Sequence, residues 1–406
     1  MVCERTVYDM QMSAITEPTA RQVACAQEQR RGLMAACLAH ALHDGYTDGL
    51  YAFLPIWQSQ FGLSYAGLAI VRALYFGTMG GLQVPADHLL SGISPRNTLV
   101  LSTLIAAGGL AVMAIPMGFA GLCCGLVLAG IGSSIQHPRA SQLITECYGN
   151  TARRPLSIYN FSGDLGKATL PALIALLLPV FAWRPVAGIL ALLGLALSLV
   201  LIRLTPRHIA PAMVTFPHRQ SRGGSTGFAW LLAIGAFDTA TRMGYLLFLP
   251  FLIHGCGGSS ATVGIALALL FAGGALGKAT CGWLGDHLGI VGSVAATETT
   301  TSFLIIATLF TPLSGTLMLL PLLGIVLNGT SSVLYGTVPE LAPDGNTGRA
   351  FAVFYTGVIG TGGLAPIAYG ALADHVGRTT GQLATAATAL LIVPMVLRLG
   401  SSLKHV

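Results

Sequence analysis

Long apolar stretches separated by short polar segments dominate the chain and predict its secondary structure. Each stretch is continuously apolar rather than alternating in polarity, which is typical of membrane helices and not of the strands of a transmembrane barrel. A helix needs about 20 apolar residues to cross the hydrocarbon core of a bilayer. The pattern therefore predicts an all-α polytopic membrane protein with twelve transmembrane helices. The predicted segments are 33–57, 65–90, 97–115, 119–138, 155–179, 185–203, 228–253, 261–284, 290–310, 315–338, 350–372 and 381–399.

The composition excludes an ordinary soluble domain. Hydrophobic residues make up 53% of the 406 residues and charged residues only 9%, with a mean hydropathy of +0.72. A soluble domain carries about 25% charged residues. The eight cysteines show neither metal-site spacing nor a disulfide framework. We therefore expect a lipid bilayer around the chain, and no metal or cofactor in it.

The distribution of basic residues predicts the orientation. With the N-terminus placed in the cytoplasm, 15 of the 21 Lys and Arg residues fall in cytoplasmic segments, two fall outside and four lie within helices. This asymmetry follows the positive-inside rule and predicts that both termini are cytoplasmic. The net charge of +6 is then explained by orientation and lipid contact, so no nucleic-acid partner is needed.

A polar segment rich in Pro, Gly and Arg, 204–227, divides the chain into two similar halves. The sequence Gly149-Asn150-Thr151-Ala152-Arg153 returns as Gly345-Asn346-Thr347-Gly348-Arg349, and Tyr159 matches Tyr355 at the same offset. This repeat predicts two pseudo-symmetric six-helix bundles, 33–203 and 228–400, joined by a cytoplasmic linker. Residues 1–32 are interpreted as a poorly ordered cytoplasmic tail, or equally as an overlong start-site assignment, and 401–406 as a cytoplasmic C-terminal tail.

Ionisable residues inside the predicted helices are the strongest indication of function. A charge near the middle of a bilayer costs about 2.5–3.5 kcal/mol on insertion scales, so such residues are paired, hydrated or used. Five acids and four bases along a common interior indicate a polar route through the membrane, and hence transport. They are Asp44, Asp48, Arg72, Asp164, Lys167, Asp238, Arg242, Lys278 and Glu298.

The first predicted helix carries the candidate proton-coupling residues. His40, Asp44, Asp48 and Tyr51 are spaced four, four and three residues apart, which places them on one face of the helix. Asp44 or Asp48 is a candidate proton carrier, with His40 or His43 as a neighbour that titrates near neutrality. The alternative is that His40 and Asp44 only hydrogen-bond to another helix.

The remaining interior residues are candidates for substrate binding. Arg72 is either a substrate anchor or the partner of Asp44 or Asp48 in a structural ion pair. Two pairs, Asp164 with Lys167 and Asp238 with Arg242, stand one turn apart and are expected to pair within their helices. Lys278 is expected to reach towards the cytoplasmic side, and Glu298 to be structural. The full candidate set is Arg72, Tyr46, Tyr51, Tyr75, Asp164, Lys167, Asp238, Arg242 and Tyr335.

Several motifs resemble those of the major facilitator superfamily over residues 33–400. The superfamily's G-x-L-x-D-x-x-G loop stands at Gly282–Gly289, and a similar string begins at Gly370. The chain is most similar to fosmidomycin-resistance-type exporters, through Asp44-Gly45-Tyr46, Phe53-Leu54-Pro55, Gly130-Ile131-Gly132-Ser133-Ser134 and His137-Pro138-Arg139-Ala140.

The resemblance implies alternating access and efflux across a bacterial inner membrane, with Gly282, Asp286 and Gly289 as conformational residues. His137, at the predicted inner end of the fourth helix, is a candidate gate or a loop anchor. The sequence departs from the superfamily after the second helix, where Gly92 stands in place of the acid, and in the fifth helix, where Leu170 replaces a glycine. These departures leave the direction of transport open.

The sequence therefore predicts a monomeric, proton-coupled secondary transporter of a small polar solute or drug, anionic or zwitterionic, working in efflux. Uptake of an organic anion by proton symport is the first alternative, and a non-transporting receptor or assembly factor is the second. A membrane enzyme is not supported, because H-E-x-x-H is absent and no Ser, His and Asp stand at the spacing of a catalytic set. No G-x-x-x-x-G-K-S/T loop occurs either, so direct use of ATP is not supported.

Overall fold

The computed structural model describes residues 20–90, 92–206, 225–343 and 347–403. Within these ranges all regular structure is helical, with no strand. The helices are α1 (Ala20–Phe61), α2 (Tyr65–Gly81), α3 (Gln83–Leu89), α4 (Pro95–Ala114), α5 (Gly118–Tyr148), α6 (Arg153–Leu177), α7 (Trp183–Leu204), α8 (Ser225–Gly255), α9 (Ser260–Phe310), α10 (Leu313–Thr337), α11 (Thr347–Val376) and α12 (Arg378–Leu403), with a 3-10 turn at Gly149–Thr151.

Several helix ends differ from those predicted. Helix α1 begins at Ala20 rather than at residue 33, so residues 20–32 are helical and not part of a poorly ordered tail. Helix α5 runs to Tyr148, which places His137 inside the helix and not at its end. The predicted segment 65–90 is divided into α2 and α3. Most of the predicted linker, 207–224, lies outside the described residues.

Helix α9 contains a backbone break that covers two predicted helices. Gly289 has φ 68° and ψ 172°, a conformation that is essentially restricted to glycine. The two parts on either side correspond to the predicted segments 261–284 and 290–310. Gly282 and Asp286 lie in helical backbone just before the break, and the side chain of Asp286 is outside the described part of the chain.

Eight helical segments of the described chain are long and apolar enough to cross a membrane. Four other long helices, α1, α2, α6 and α8, are not among them. These four carry seven of the nine interior charges named above. Helix α2 is short, at 17 residues, whereas in α1, α6 and α8 the charged residues lower the hydropathy. The four helices that do not meet this criterion of length and hydropathy therefore bring most of the interior charges to the centre of the molecule.

The helices form two groups that meet along two seams. Helices α1–α7 pack mainly on one another, and so do α8–α12. The groups touch chiefly where α6 packs on α9 and where α2 packs on α11. Glycines permit close contact between helices: a Cβ on Gly166 of α6 would lie 1.9 Å from the carbonyl oxygen of Ala41 in α1.

The seam between α2 and α11 is closed at the end where α2 begins. The backbone N–H groups of Tyr65 and Ala66 donate to the two carboxylate oxygens of Asp374 in α11, at 2.8 and 2.9 Å. The Tyr65 ring also packs edge-on against Phe251 of α8, with 5.1 Å between ring centroids. A carboxylate from one helix group therefore satisfies the free N–H groups at a helix end of the other group.

The break at Gly289 yields a test of the fold. Gly289→Ala is expected to destabilise the protein by about 1–3 kcal/mol, because an alanine is strained at this φ and ψ. Gly77→Ala is the matched control: Gly77 is an exposed, helical glycine with open space around it, and alanine there is expected to stabilise by about 0.5–1 kcal/mol. Thermal unfolding of the purified protein measures both, and equal midpoints would contradict a strained backbone at Gly289.

Candidate functional site

Asp44 of α1 lies at the centre of a buried polar cluster. Its Oδ2 is 3.1 Å from Nε2 of His40 and 3.2 Å from Nζ of Lys167 in α6, and its Oδ1 is 3.7 Å from Nε2 of His137 in α5. Gly163 makes room for this cluster, since a Cβ there would lie 2.6 Å from both Asp44 and His40. The alignment of His40 and Asp44 on one helix face is confirmed. Their two alternative roles, proton exchange and hydrogen bonding to another helix, stay predictions.

A chain of opposite charges continues from this cluster across the two helix groups. The Lys167 ammonium lies 4.0 Å from Oδ1 of Asp164, one turn back on α6. The Lys278 ammonium, on α9, lies 2.8 Å from Oδ1 and 2.6 Å from Oδ2 of the same carboxylate. Asp44, Lys167, Asp164 and Lys278 therefore alternate in sign along one continuous path from α1 to α9.

These contacts correct two expectations. Asp164 and Lys167 were expected to pair within α6, but each has a closer partner on another helix, Lys278 and Asp44 respectively. The expectation that Lys278 reaches away to the membrane surface is wrong, because its ammonium binds Asp164 and its side chain lines a cavity. Residue spacing along the sequence predicts only ion pairs within one helix, so it could not identify these partners on other helices.

Two adjoining cavities of about 120 and 560 Å³ lie between the helix groups. Both are lined by Asp44, His137 and Lys167. The smaller one adds polar side chains from both groups, Asp48, Arg242 and Asn328, and the larger one extends to Lys278 and the α2–α3 region. The position of His137 in the cluster, and not at a loop, follows from the continuation of α5 beyond Pro138.

Arg72 of α2 is buried between two aromatic rings. Its guanidinium carbon lies 4.0 Å from the ring centre of Tyr51 and 4.1 Å from that of Phe76, and its Nη2 lies 3.6 Å from the sulfur of Met243. The residue is 3% exposed and forms no ion pair with Asp44 or Asp48. Cation–π contact therefore replaces the structural ion pair that was one of its two predicted roles. A role in substrate binding requires one of the two rings to move.

Three other predicted residues of α1 and α2, Tyr46, His43 and Tyr75, form hydrogen bonds away from both cavities. The Tyr46 hydroxyl donates to the Leu190 carbonyl at 2.6 Å. His43 Nδ1 lies 2.9 Å from the Ser133 hydroxyl, which lies 2.6 Å from the Tyr75 hydroxyl. None of these side chains lines either cavity, so their contacts hold helices together. In this conformation His43 bonds to hydroxyl groups rather than to Asp44 or Asp48.

The predicted pair in α8 is not formed. Arg242 faces the smaller cavity, whereas Asp238 is 3% exposed and the two make no ion pair. The interpretation that they pair with each other at rest is therefore wrong for this conformation. Tyr335 of α10 packs between aromatic rings of α11, with 5.2 Å to the ring of Phe354 and 4.9 Å to that of Tyr355.

Sequence reasoning assigned no site role to Tyr159 and Asn160, although both line the larger cavity. The Tyr159 ring lies only 3.9 Å from the His40 ring, centroid to centroid. The internal repeat held a signal for this residue, because Tyr159 matches Tyr355 and both line the same cavity. The signal in the sequence is a polar residue that recurs at the matching position of both halves.

The sequence matches one known protein family and is similar to known bacterial proteins. The family model described as Major Facilitator Superfamily matches residues 36–225. The fosmidomycin resistance protein of Escherichia coli (strain K12) is 26% identical over 384 residues, covering 90% of this chain and 93% of that protein. An uncharacterized MFS-type transporter of Bacillus subtilis (strain 168), YfnC, is 26% identical over 142 residues, covering 35% of this chain and 34% of the relative.

Solved structures show the same fold. A bacterial homolog of the human lysosomal transporter Spinster, in an inward-facing and unoccupied conformation, matches with a TM-score of 0.76 at 16% identity, covering 93% of this chain and 98% of that one. A POT family transporter in complex with 5-aminolevulinic acid matches with a TM-score of 0.73 at 13% identity, covering 92% and 96%. The predicted resemblance to major facilitator transporters of the fosmidomycin-resistance type is confirmed.

The ion pair between Asp164 and Lys278 is expected to hold α6 and α9 together. Lys278→Met and Asp164→Asn should each lower stability by about 1–3 kcal/mol, less than for a fully buried pair because the Lys278 side chain is 38% exposed. Lys278→Arg, which keeps the charge, is the control.

A double-mutant cycle on thermal unfolding decides this, since paired residues give a double variant that loses less than the sum of the two single losses. Strictly additive losses would show that the two side chains do not stabilise each other.

Proposed function

We propose that this chain, which resembles fosmidomycin-resistance-type major facilitator transporters, is a secondary active, proton-coupled transporter. It moves a small polar solute or drug, anionic or zwitterionic, by alternating access, in the direction of efflux. The observation that carries the proposal is the path of alternating charges from Asp44 to Lys278. Three members of this path, Asp44, Lys167 and Lys278, line the larger cavity, and the path joins the two helix groups that must move relative to one another.

The proposed architecture is twelve transmembrane helices in two six-helix bundles, residues 33–203 and 228–400, joined by a linker at 204–227. The division of packing between α1–α7 and α8–α12 supports this arrangement, as does the likeness to whole transporter structures. The protein would lie as a monomer in the inner membrane, with both termini, residues 1–32 and residues 401–406, in the cytoplasm. Gly282, Asp286 and Gly289 would control the cytoplasmic side of the bundle.

The contacts of Lys167 supply a mechanism for proton coupling. Its ammonium is shared unequally between Asp44, at 3.2 Å, and Asp164, at 4.0 Å. Protonation of Asp44, with His40 or His137 delivering the proton, removes its charge and shifts Lys167 towards Asp164. Lys278 then loses part of its hold on Asp164, so the contact between α6 and α9 weakens. One proton is thereby linked to the separation of the two helix groups.

The charges around the cavities support an anionic or zwitterionic solute. Lys167, Lys278 and Arg242 present three cations, and Asp44 and Asp48 offer carboxylates to an amino group. The E. coli relative is named for fosmidomycin resistance, and one structural neighbour holds 5-aminolevulinic acid. A small molecule with an acidic group, alone or together with an amine, fits this combination of charges.

Two observations favour opposite directions of solute transport. The likeness to the fosmidomycin resistance protein favours efflux. The position of Lys167 favours the second candidate, uptake of an organic anion by proton symport. Protonation of Asp44 removes the nearest counter-ion of Lys167, so an anion that replaces this charge binds together with the proton. A receptor or assembly factor with a transporter fold would move no solute at all.

The closed seam between Tyr65 and Asp374 is proposed as the gate on the side opposite the cytoplasm. Asp374→Ala removes both acceptors, so we expect faster amide hydrogen exchange at residues 65 and 66 and in the facing part of α11. Ser259→Ala is the matched control, because Ser259 caps α9 only within its own helix group. Hydrogen exchange read by mass spectrometry decides the matter, and unchanged exchange at residues 65 and 66 would remove Asp374 from the gate.

Proteoliposomes with an imposed pH gradient test the function. A panel of small phosphonates, carboxylates and zwitterions is offered to the wild type, Asp44→Asn, Lys167→Met and Arg72→Ala. We expect gradient-driven movement of an acidic solute in the wild type, at least about tenfold slower in the first two variants. Glu146→Gln, whose side chain bonds to Gln142 outside both cavities, is the control and should match the wild type.

The outcomes separate the alternatives. Solute that accumulates on the acidic side of the membrane supports efflux by antiport, and solute that moves with the protons supports symport. Movement that survives Asp44→Asn and Lys167→Met would overturn the coupling mechanism. If no solute of the panel moves with the wild type, a receptor or assembly role takes its place.

A further inference from the structure

The smaller of the two cavities contains one carboxylate and one guanidinium without partners. Asp48 of α1 and Arg242 of α8 both line it. Among the described residues, neither side chain forms an ion pair, and Nε of Arg242 is buried without a hydrogen-bond partner. Asp44 and Lys167, which line the same cavity, lie 3.2 Å apart and compensate each other. The cavity therefore presents one acid and one base whose charges no contact of the described chain neutralises.

The two unpaired charges are accessible to a solute. A charge in the interior of a membrane protein is costly unless a partner or water compensates it. Asp48 and Arg242 do not compensate each other in this conformation, although they face one cavity. Arg72 also forms no ion pair, but the rings of Tyr51 and Phe76 cover its guanidinium, and it does not line the cavity. A ligand of the cavity thus meets Asp48 and Arg242 and not Arg72.

The two unpaired charges come from equivalent helices. Helices α1 and α8 are the first helices of the two helix groups. Each carries its charge shortly before a Phe-Leu-Pro sequence, which begins at Phe53 in α1 and at Phe248 in α8. A molecule that contacts both charges therefore bridges the two helix groups.

Much of the remaining cavity wall is apolar, with side chains from α2, α8 and α9. Met79, Met243 and Phe271 line it, together with Phe76 and Leu246. Such a wall favours a hydrocarbon chain, and the thioether side chains adapt to its shape. At about 120 Å³ the cavity is smaller than the about 300–1,000 Å³ of pockets for drug-sized ligands. The lining thus fits a short hydrocarbon chain with a charged group at each end.

We propose that this cavity binds a small zwitterion, whose ammonium group contacts the Asp48 carboxylate and whose acidic group contacts the Arg242 guanidinium. A carboxylate accepts hydrogen bonds from an ammonium group, and a guanidinium binds carboxylate or phosphonate oxygens in pairs. The role of this site in transport rests on the proposed function, whose solute it narrows from anionic or zwitterionic to zwitterionic. The solute leaves Asp44 paired with Lys167, so the proton and the solute bind to different carboxylates.

The site selects for molecules that carry both charges. A simple acid binds Arg242 but leaves the Asp48 carboxylate without a partner beside it. A simple amine binds Asp48 and leaves the guanidinium unpaired. A buried charge that stays unpaired opposes binding, so each of these molecules is rejected relative to the zwitterion.

Binding to the purified protein in detergent tests the site without any movement of solute. The probes are the ω-amino acids from glycine to 5-aminopentanoate and the aminoalkylphosphonates of the same chain lengths. Each is compared with the acid that lacks its amino group and with the amine that lacks its acidic group. By titration calorimetry at neutral pH, we expect at least one zwitterion to bind at least about tenfold more tightly than both of its counterparts. Acids that bind as tightly as their zwitterions, or no binding by any zwitterion, would overturn the proposal.

Two neutral variants test the two contacts separately. Asp48→Asn should remove the preference for the zwitterion, while the matched acid loses no affinity because it contacts only Arg242. Arg242→Gln should weaken the zwitterion and the acid alike. Glu146→Gln, whose side chain bonds to Gln142 outside both cavities, is the control and should keep the wild-type affinities. A preference that survives Asp48→Asn would overturn the role of Asp48, and the wild-type comparison decides the proposal even where a variant does not fold.

The binding result and the transport result are independent. Selective binding of a zwitterion by a protein that moves no solute would leave this site in place and remove the proposed function. Gradient-driven movement of simple acids, without any preference for zwitterions in binding, would leave the proposed function in place and remove this site.

Discussion

The cost of placing charge in a low-dielectric interior governs the structure. An interior charge is stabilised by a partner or by a polar cavity, because an isolated ion in hydrocarbon is far less stable than the same ion in water. Asp44 meets this need with three neighbours from three helices, and Asp164 meets it with Lys278 from the other helix group. Arg72 meets it with the faces of two aromatic rings. The requirement to pair charges thus decides which helices approach one another at the centre.

Such pairing needs helices closer than ordinary side chains permit. Gly163 and Gly166 on one face of α6 let α1 approach until the Asp44 carboxylate and the Ala41 backbone fill the space of a Cβ. Gly324 on α10 and Gly273 on α9 do the same for the other helix group, where each lies against backbone of the facing helix. Small residues in the apolar pattern are therefore part of the polar site, because they set the distances at which its charges meet.

The sequence predicted what depends on local order and missed what depends on three-dimensional partners. The helical segments, the alignment of His40 and Asp44 and the break at Gly289 follow from residue spacing and from a loop motif. The partner of Lys278 is more than a hundred residues away in the chain, at Asp164, so helix spacing could only suggest the wrong neighbour or none. The extension of α5 past Pro138 was also missed, because a proline usually ends a predicted helix but is tolerated when neighbouring helices satisfy the freed carbonyls.

The balance of the interior charges limits how the protein can operate. The nine interior groups are five acids and four bases, and Asp44 is the acid that has ionisable partners on α1, α5 and α6. Protonation of Asp44 leaves the Lys167 ammonium without its nearest counter-ion, and an anion that enters the cavity beside it replaces the lost charge. An anionic solute can therefore enter at low cost only together with a proton on Asp44, and this is the physical basis on which solute movement and proton movement become linked.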